Sequence, residues 1–140
     1  MTRDDVVELI GKWERAFAQR DLKTYVGLYA ESAVLESPLA GSVSGREAVM
    51  KTTLAQLSAF PDAQFRSEAA IIDGHRAAVP ASVAGTHVGT FMGIPPTGRP
   101  FHFTLVFLLD FNEGHIVHDR RIYDFTGFLV QLGVLKAKPA

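Results

Sequence analysis

The chain reads as one α+β domain, a strongly curved antiparallel sheet wrapped as a cone-shaped barrel around three N-terminal helices and an apolar pocket. Three observations predict it. Apolar residues recur at helical spacing as far as Phe60 and at strand-like spacing beyond it, the order in which helices come to cover one face of a sheet. Asp73-Gly74 and Asn112-Glu113-Gly114 are tight hairpin signals, so the later runs form an antiparallel meander. Phe101 to Phe111 is apolar at nearly every position, which requires cover on both faces, by helices on one and by a pocket or second subunit on the other.

Taken in order, Asp4 or Asp5 can cap a first helix whose residues Val6, Ile10, Trp13 and Phe17 share one face. Asp21 opens a second amphipathic stretch through Leu22, Tyr25, Val26, Leu28 and Tyr29, followed by a short strand at Ala33-Val34-Leu35 that Pro38 stops. Ser44-Gly45-Arg46-Glu47 has the form of a capping box, and Val49, Met50, Leu54 and Leu57 continue a third helix to Phe60-Pro61. Strands are expected from Phe65 to Ile72 and from Arg76 to about Met92. Pro95, Pro96 and Pro100 cannot donate to a ladder and make a loop. Strands Phe101 to Phe111 and His115 to Tyr123 complete the meander, before a short helix from Phe125 to Leu135 and a frayed tail from Lys136 to Ala140.

Composition narrows the function. The 140 residues are 47% hydrophobic and 21% charged, enough to bury the core of a single domain. Fourteen Lys plus Arg oppose fifteen Asp plus Glu with no run of either sign, which argues against nucleic acid and membrane surfaces and for a small apolar organic ligand. The absence of cysteine excludes disulfides, thiolate metal sites and a cysteine nucleophile, and makes the cytoplasm the default expectation. Arg3, Asp4, Asp5, Glu8 and Lys12 interrupt the start, so no signal peptide is expected, and no stretch is long enough to span a bilayer.

The helix pair, the strand ending in Glu36-Ser37-Pro38, the third helix and the meander resemble, in that order, the NTF2-like (cystatin-like) superfamily of ketosteroid isomerases, limonene epoxide hydrolases and SnoaL-like polyketide cyclases. The segment Gly85-Thr86-His87-Val88-Gly89-Thr90-Phe91-Met92-Gly93-Ile94-Pro95-Pro96-Thr97-Gly98-Arg99 is similar to the signature of the SnoaL-like and ester cyclase branch. Gly114-His115-Ile116, Asp124 and Gln131-Leu132-Gly133 follow the same branch. The resemblance implies cofactor-free acid/base chemistry, an aldol-type cyclisation or isomerisation of a small apolar carbonyl compound, and a homodimer formed through the sheet. Two departures stand out. Ser37 occupies the position of the ketosteroid isomerase base and Trp13 that of its helix-one tyrosine, and Asp119-Arg120 replaces a His-Trp pair common in the cyclases.

Asp124 is the first candidate acid/base. The resemblance implies that it deprotonates carbon next to a carbonyl and then protonates the aldolate oxygen. As a residue just before a helical run it can equally cap that helix. Alternation along the last strand places Arg120 and Ile122 on the face of Asp124, with Arg120 able to hold an oxyanion. His87 and His102 can polarise a carbonyl or serve the structure alone. Trp13, Phe17, Tyr29, Met50, Leu54, Phe60 and Phe65 are the candidate pocket walls, and Glu36 is a salt-bridged residue or a replacement carboxylate. No pair has metal-ligand spacing, so neither a metal nor a cofactor is expected. An epoxide-opening site and a non-catalytic binding module remain the alternatives.

Overall fold

A computed structural model describes residues 1–136. Its elements run α1 (Arg3–Ala18), α2 (Leu22–Gly27), β1 (Tyr29–Ser37), β2 (Gly41–Ser44), α3 (Arg46–Ala59), β3 (Gln64–Ser67), β4 (Ile71–Asp73), β5 (Arg76–Thr86), β6 (Pro100–Asn112), β7 (His115–Tyr123) and α4 (Phe125–Gln131). Beyond Lys136 the expected tail lies outside the described residues.

The α+β order is as expected: helices first, then a curved sheet with strand order β2-β1-β7-β6-β5-β3, β4 also pairing with β5. Two features differ from a closed antiparallel barrel. The β1–β7 pair is parallel, so the sheet is mixed. Edge strands β2 and β3 do not pair with each other, so the sheet stays open and the helices close the inner face.

Local chemistry explains where the element boundaries moved. The α1 cap is Thr2, whose hydroxyl accepts from Asp5 N at 3.1 Å while Asp5 Oδ2 accepts from Thr2 N at 2.8 Å. The capping box expected at Ser44 does not form, because Ser44 ends β2 and the α3 cap is Gly45 at φ 95°, a left-handed turn open to glycine. Tyr29 belongs to β1 and not to the second helix. The strand expected from Phe65 to Ile72 is two short strands whose registers on β5 differ by one residue on either side of Pro80. There Glu68 N donates to the Pro80 carbonyl at 2.8 Å.

The strand expected to run to Met92 leaves the sheet after Thr86. Val88 N and Gly89 N both donate to Ala59 O, at 2.9 and 3.0 Å, and tie the segment to the end of α3. The core is one cluster, in which Val6, Trp13 and Phe17 of α1 and Val49 of α3 meet the inward residues of the sheet, such as Leu35, Val79, Phe107 and Phe111.

Candidate active site

One irregularity in β7 decides which polar residues face inward. The β6–β7 hairpin pairs Asn112 with His115 and Phe111 with Ile116, and plain alternation would then set Phe107 opposite Arg120. A bulge at Val117 shifts the register, so that Asp110 pairs with His118, Leu109 with Asp119 and Phe107 with Arg121. A slip of one residue exchanges the faces of every side chain that follows. Asp119 and Arg121 therefore turn into the core, at 0% and 7% exposure, and Arg120 and Ile122 turn out.

Asp119 and Arg121 are the centre of a buried polar cluster. Arg121 Nη2 lies 3.1 Å from Asp119 Oδ2 and donates to the Tyr25 hydroxyl at 3.1 Å. Arg121 Nη1 reaches Gln56 Oε1 at 3.5 Å, and the guanidinium lies 5.2 Å from the centre of the Phe107 ring. The Tyr29 hydroxyl donates to Asp119 Oδ2 at 2.6 Å, stands 3.2 Å from the Tyr25 hydroxyl and accepts from Trp13 Nε1 at 3.0 Å. Since Tyr29 has one proton to give and gives it to Asp119, the order of donation is Tyr25 to Tyr29 to Asp119.

Two cavities flank this cluster and share Phe17 and Phe65 as a partition, their ring centres 4.6 Å apart. One, of ≈ 200 Å³, is lined by Trp13, Tyr25, Phe65, Ala81 and Phe107, with Glu14, Arg15, Gln64 and Ser67 at its mouth. The other, of ≈ 70 Å³, is rich in aromatic rings, with Phe60, Phe101, Phe103, Phe128 and Tyr123 beside aliphatic residues around Arg121, Gln56 and Ser37. The cluster thus offers a hydroxyl to the first and a guanidinium to the second.

Trp13, Phe17, Phe60 and Phe65 line these cavities, whereas the other residues singled out from the sequence lie elsewhere. Asp124 is exposed and accepts from Gly127 N at 2.9 Å, capping α4. Arg120 is exposed on the outer face with its Nε 3.9 Å from Glu36, which also meets His118 at 3.3 Å. Ile122 is 46% exposed on the same face. His102 is exposed too, because it falls on an outward position of β6, where its backbone exchanges hydrogen bonds with the Gln131 amide. Met50 and Leu54 project from α3 into an open surface depression with Val26, since the inward stripe of that helix is Val49, Thr53 and Ala59. Tyr29 is fully buried and serves the cluster instead of a cavity wall.

His87 is also fully buried and lines neither cavity. Its Nδ1 accepts from Thr97 N at 3.2 Å and meets the Thr97 hydroxyl at 3.0 Å, which pins the 87–99 loop against Phe60 and Phe91. Arg121 and Asp119, which the sequence reading did not assign to the site, would have been found by following inward Phe107 and Leu109 of β6 to their partners across the bulged hairpin, and Tyr25, also not assigned, lies on α2 one turn before Tyr29.

Burial pushes the Tyr25 and Tyr29 hydroxyls above the ordinary tyrosine range, for Tyr29 strongly, with the Asp119 carboxylate adding to the effect. Burial raises Tyr123 as well. For Arg121, burial is the largest influence and works against the charge, but the Asp119 carboxylate together with Tyr25 and Tyr29 outweighs it and holds the guanidinium ionised. The three tyrosines are the chain's full complement. A spectrophotometric titration of the native protein is therefore expected to show no phenolate band near pH 10, the ordinary tyrosine value. Since the folded values lie above the unfolded ones, the stability they contribute is intact below about pH 10 and falls as pH rises further. Phenolate should appear together with unfolding, and early titration of any tyrosine in the folded protein would contradict the cluster.

Among the described residues no group of His, Asp and Glu side chains is placed to hold a metal ion, and no helix is long and apolar enough to cross a membrane. Comparison with known proteins adds the lineage. Residues 7–132 match the family model of the SnoaL-like polyketide cyclases. A segment of 49 residues, 35% of this chain, is 45% identical to the aklanonic acid methyl ester cyclase AcmA of Streptomyces galilaeus and spans 34% of that protein. Two crystal structures are similar over nearly the whole chain. AclR of Streptomyces galilaeus, a proposed hydroxylase, is 29% identical with a TM-score of 0.84, covering 99% of this chain and 91% of its own. IdmH of Streptomyces antibioticus, a proposed polyketide cyclase, is 32% identical with a TM-score of 0.77, covering 91% and 98%. With the family model spanning both the helices and the entire sheet, the chain belongs to the SnoaL-like polyketide cyclase family.

Proposed function

We propose that the protein catalyses ring closure of a small, mostly apolar carbonyl compound by acid/base chemistry, with Asp119 as the proton reservoir, Tyr25 as the group that meets the substrate in the larger cavity and Arg121, behind the Tyr25 hydroxyl, as the charge that offsets the enolate. The observation that carries this is the donor chain from Tyr25 through Tyr29 to Asp119, which ends at the wall of the larger cavity with the Arg121 guanidinium 3.1 Å from the Tyr25 hydroxyl.

The step balances without a redox partner. A C–H bond next to a carbonyl breaks, and its electron pair moves to the carbonyl oxygen, whose charge the Arg121 guanidinium offsets from behind the Tyr25 hydroxyl. The proton goes to the Tyr25 oxygen as Tyr25 passes its own to Tyr29 and Tyr29 passes its own to Asp119. The enolate carbon then bonds to a second carbonyl carbon, and the alkoxide so formed takes the proton back. The product is an isomer of the substrate. A guanidinium fixed by its carboxylate in low dielectric is suited to the developing charge, because it needs no reorganisation as the charge appears.

Solvent deuterium exchange at the acidic carbon of aklanonic acid methyl ester, the compound in the name of the relative AcmA, followed by mass analysis of the product, tests the reading. Asp119→Asn is expected to slow exchange and closure by about 10²–10⁴-fold, the range of general acid/base catalysis. Asp124→Ala should cost ~1 kcal/mol of stability, as for a lost helix cap, and leave the rate unchanged. Full activity in Asp119→Asn would overturn the assignment, and a product heavier by one oxygen would point to hydroxylation.

The outer face of the sheet supports a second part of the proposal, a homodimer. Ala78 and Pro80 of β5, Val106 and Leu108 of β6 and Ile122 of β7 form a half-exposed apolar strip across adjacent strands, flanked by Ile71 at 69% exposure. Light scattering after size exclusion is expected to give a dimer that Ile122→Glu converts to monomer. A wild-type monomer would remove the proposal.

A further inference from the structure

The larger cavity has a polarity that its shape alone does not reveal. Among the buried residues that line it, Trp13 and Tyr25 carry a polar side-chain atom, and Phe17, Ala81 and Phe107 do not. Trp13 Nε1 gives its proton to the Tyr29 hydroxyl at 3.0 Å. The Tyr25 hydroxyl gives its own to Tyr29, 3.2 Å away, and accepts from Arg121 Nη2 at 3.1 Å. A phenol oxygen accepts up to two hydrogen bonds, so one lone pair of Tyr25 is left. Arg121 stands behind Tyr25 and lines the smaller cavity instead. The inner wall of the larger cavity therefore holds an open acceptor and no open donor.

Size and wall chemistry narrow the occupant further. At ≈ 200 Å³ the cavity exceeds the roughly 150 Å³ that holds a benzene molecule and falls short of the several hundred usual for larger ligands, so it takes a unit of one ring. Its walls are rings: Trp13 and Tyr25 lie at an interplanar angle of 18°, and Phe107 stands edge-on to Trp13 at 4.8 Å and to Phe65 at 5.3 Å. Such walls favour a flat, conjugated ligand over a puckered one. At the mouth Glu14 and Arg15 carry opposite charges, and Ser67 Oγ donates to Glu14 Oε1 at 2.8 Å, which gives a charged ligand no net advantage. Arg15, Gln64 and Ser67 are exposed there, so the remainder of a longer molecule stays in solvent.

We infer that the larger cavity selects the enol form of its substrate: a flat, neutral unit of one ring's size whose O–H donates to the open lone pair of Tyr25. This rests on the reading of Tyr25 as the group that meets the substrate, and it makes the same residue the one that chooses between tautomers. A keto form brings an acceptor to an acceptor and leaves both unpaired away from water, whereas the planar enol brings the missing donor. The proton balance of ring closure is kept. The enol O–H bond breaks, its proton passes to Tyr25 as Tyr25 and Tyr29 each hand one on to Asp119, and the electron pair stays on the substrate. The enolate so formed is the one that loss of the neighbouring C–H proton also gives.

The test titrates three probes into the whole protein and follows their fluorine resonances: para-fluorophenol, a stable carrier of an enol-like O–H; para-fluoroanisole, whose oxygen only accepts; and fluorobenzene, which has neither. Para-fluorophenol is expected to bind about fivefold tighter than either of the others, the scale of one net hydrogen bond. In Tyr25→Phe that preference should fall below about twofold. Ala81→Leu, at the inner wall, and Ser67→Trp, at the exposed mouth, should each weaken all three probes, with folding checked by circular dichroism. The assignment is overturned if para-fluoroanisole binds wild type as tightly as para-fluorophenol, or if the preference survives in Tyr25→Phe. Unchanged affinity in either cavity variant, once folded, or a lack of saturable binding to wild type overturns it too. Because affinity is read without turnover, the result is separate from the deuterium exchange that tests Asp119. A donor preference without exchange that depends on Asp119 would leave an enol-binding cavity on a protein of different chemistry, and the reverse would leave the catalyst and remove the enol assignment.

Discussion

Arg121→Met is expected to lower stability by ~3–5 kcal/mol and to abolish turnover, the first effect because it leaves the Asp119 carboxylate buried without its counter-charge. Asp119 is fully buried, and its one remaining donor would be the Tyr29 hydroxyl. The control is the double variant Asp119→Leu with Arg121→Met, in which both charges are gone and apolar groups of similar volume take their place. Such replacements are neutral or stabilising by ~1–4 kcal/mol when packing is good, so the double variant should melt near the wild type while remaining inactive. Chemical denaturation of the three proteins separates the two roles of the pair. If the single variant is as stable as the wild type, then Asp119 is not held as an anion and the ionic account of the cluster fails.

The second large effect is expected from Gly89→Ala. A Cβ placed there would collide with the Ser58 carbonyl oxygen and come within 3.2 Å of the Ala59 Cα, both backbone atoms that cannot rotate away. The segment must then lift off the end of α3 and give up the bonds from Val88 N and Gly89 N to Ala59 O. A loss of ~1–3 kcal/mol follows from overpacking of this kind. Hydrogen exchange should also report faster exchange at Val88 and Gly89 while β6 and β7 stay protected. A fully protected loop in the variant would mean that α3 and the loop can separate without loss.

Four cavity-wall residues, Trp13, Phe17, Phe60 and Phe65, were legible in the sequence, and the inward residues of β7 were not, for a definite reason. Trp13 and Phe17 are fixed by 3.6-residue periodicity on a well-capped helix, and Phe60 and Phe65 by their place on either side of Pro61, so their inward facing could be read directly. On β7, alternation groups Arg120 and Ile122 with Asp124 correctly but does not say which face is the inner one, and parity carried from inward Ile116 fails because Val117 breaks it. Counting back from Asp124 in steps of two gave a self-consistent set, Arg120 and Ile122, that lies on the outside. Tyr29 was missed as a cluster member because helical and strand periods agree over so short a stretch as Leu28-Tyr29. The α4 cap, by contrast, depends on residues three apart and was one of the two roles Asp124 could be given from sequence alone.

The bulge at Val117 also acts as a one-residue selector between two ready-made sets of polar groups. Inside stand Asp119, Arg121 and Tyr123; outside, on the same strand, stand His118 and Arg120 beside Glu36. Deleting Val117 would remove the bulge and leave the pairs from His118 onward as they are, whereas regular pairing of Val117 with Asp110 would turn His118 and Arg120 inward and expel Asp119 and Arg121. The same strand therefore carries two alternative sets of inward polar groups one step of register apart, and the bulge, not a substitution at any functional position, decides which of them the core receives.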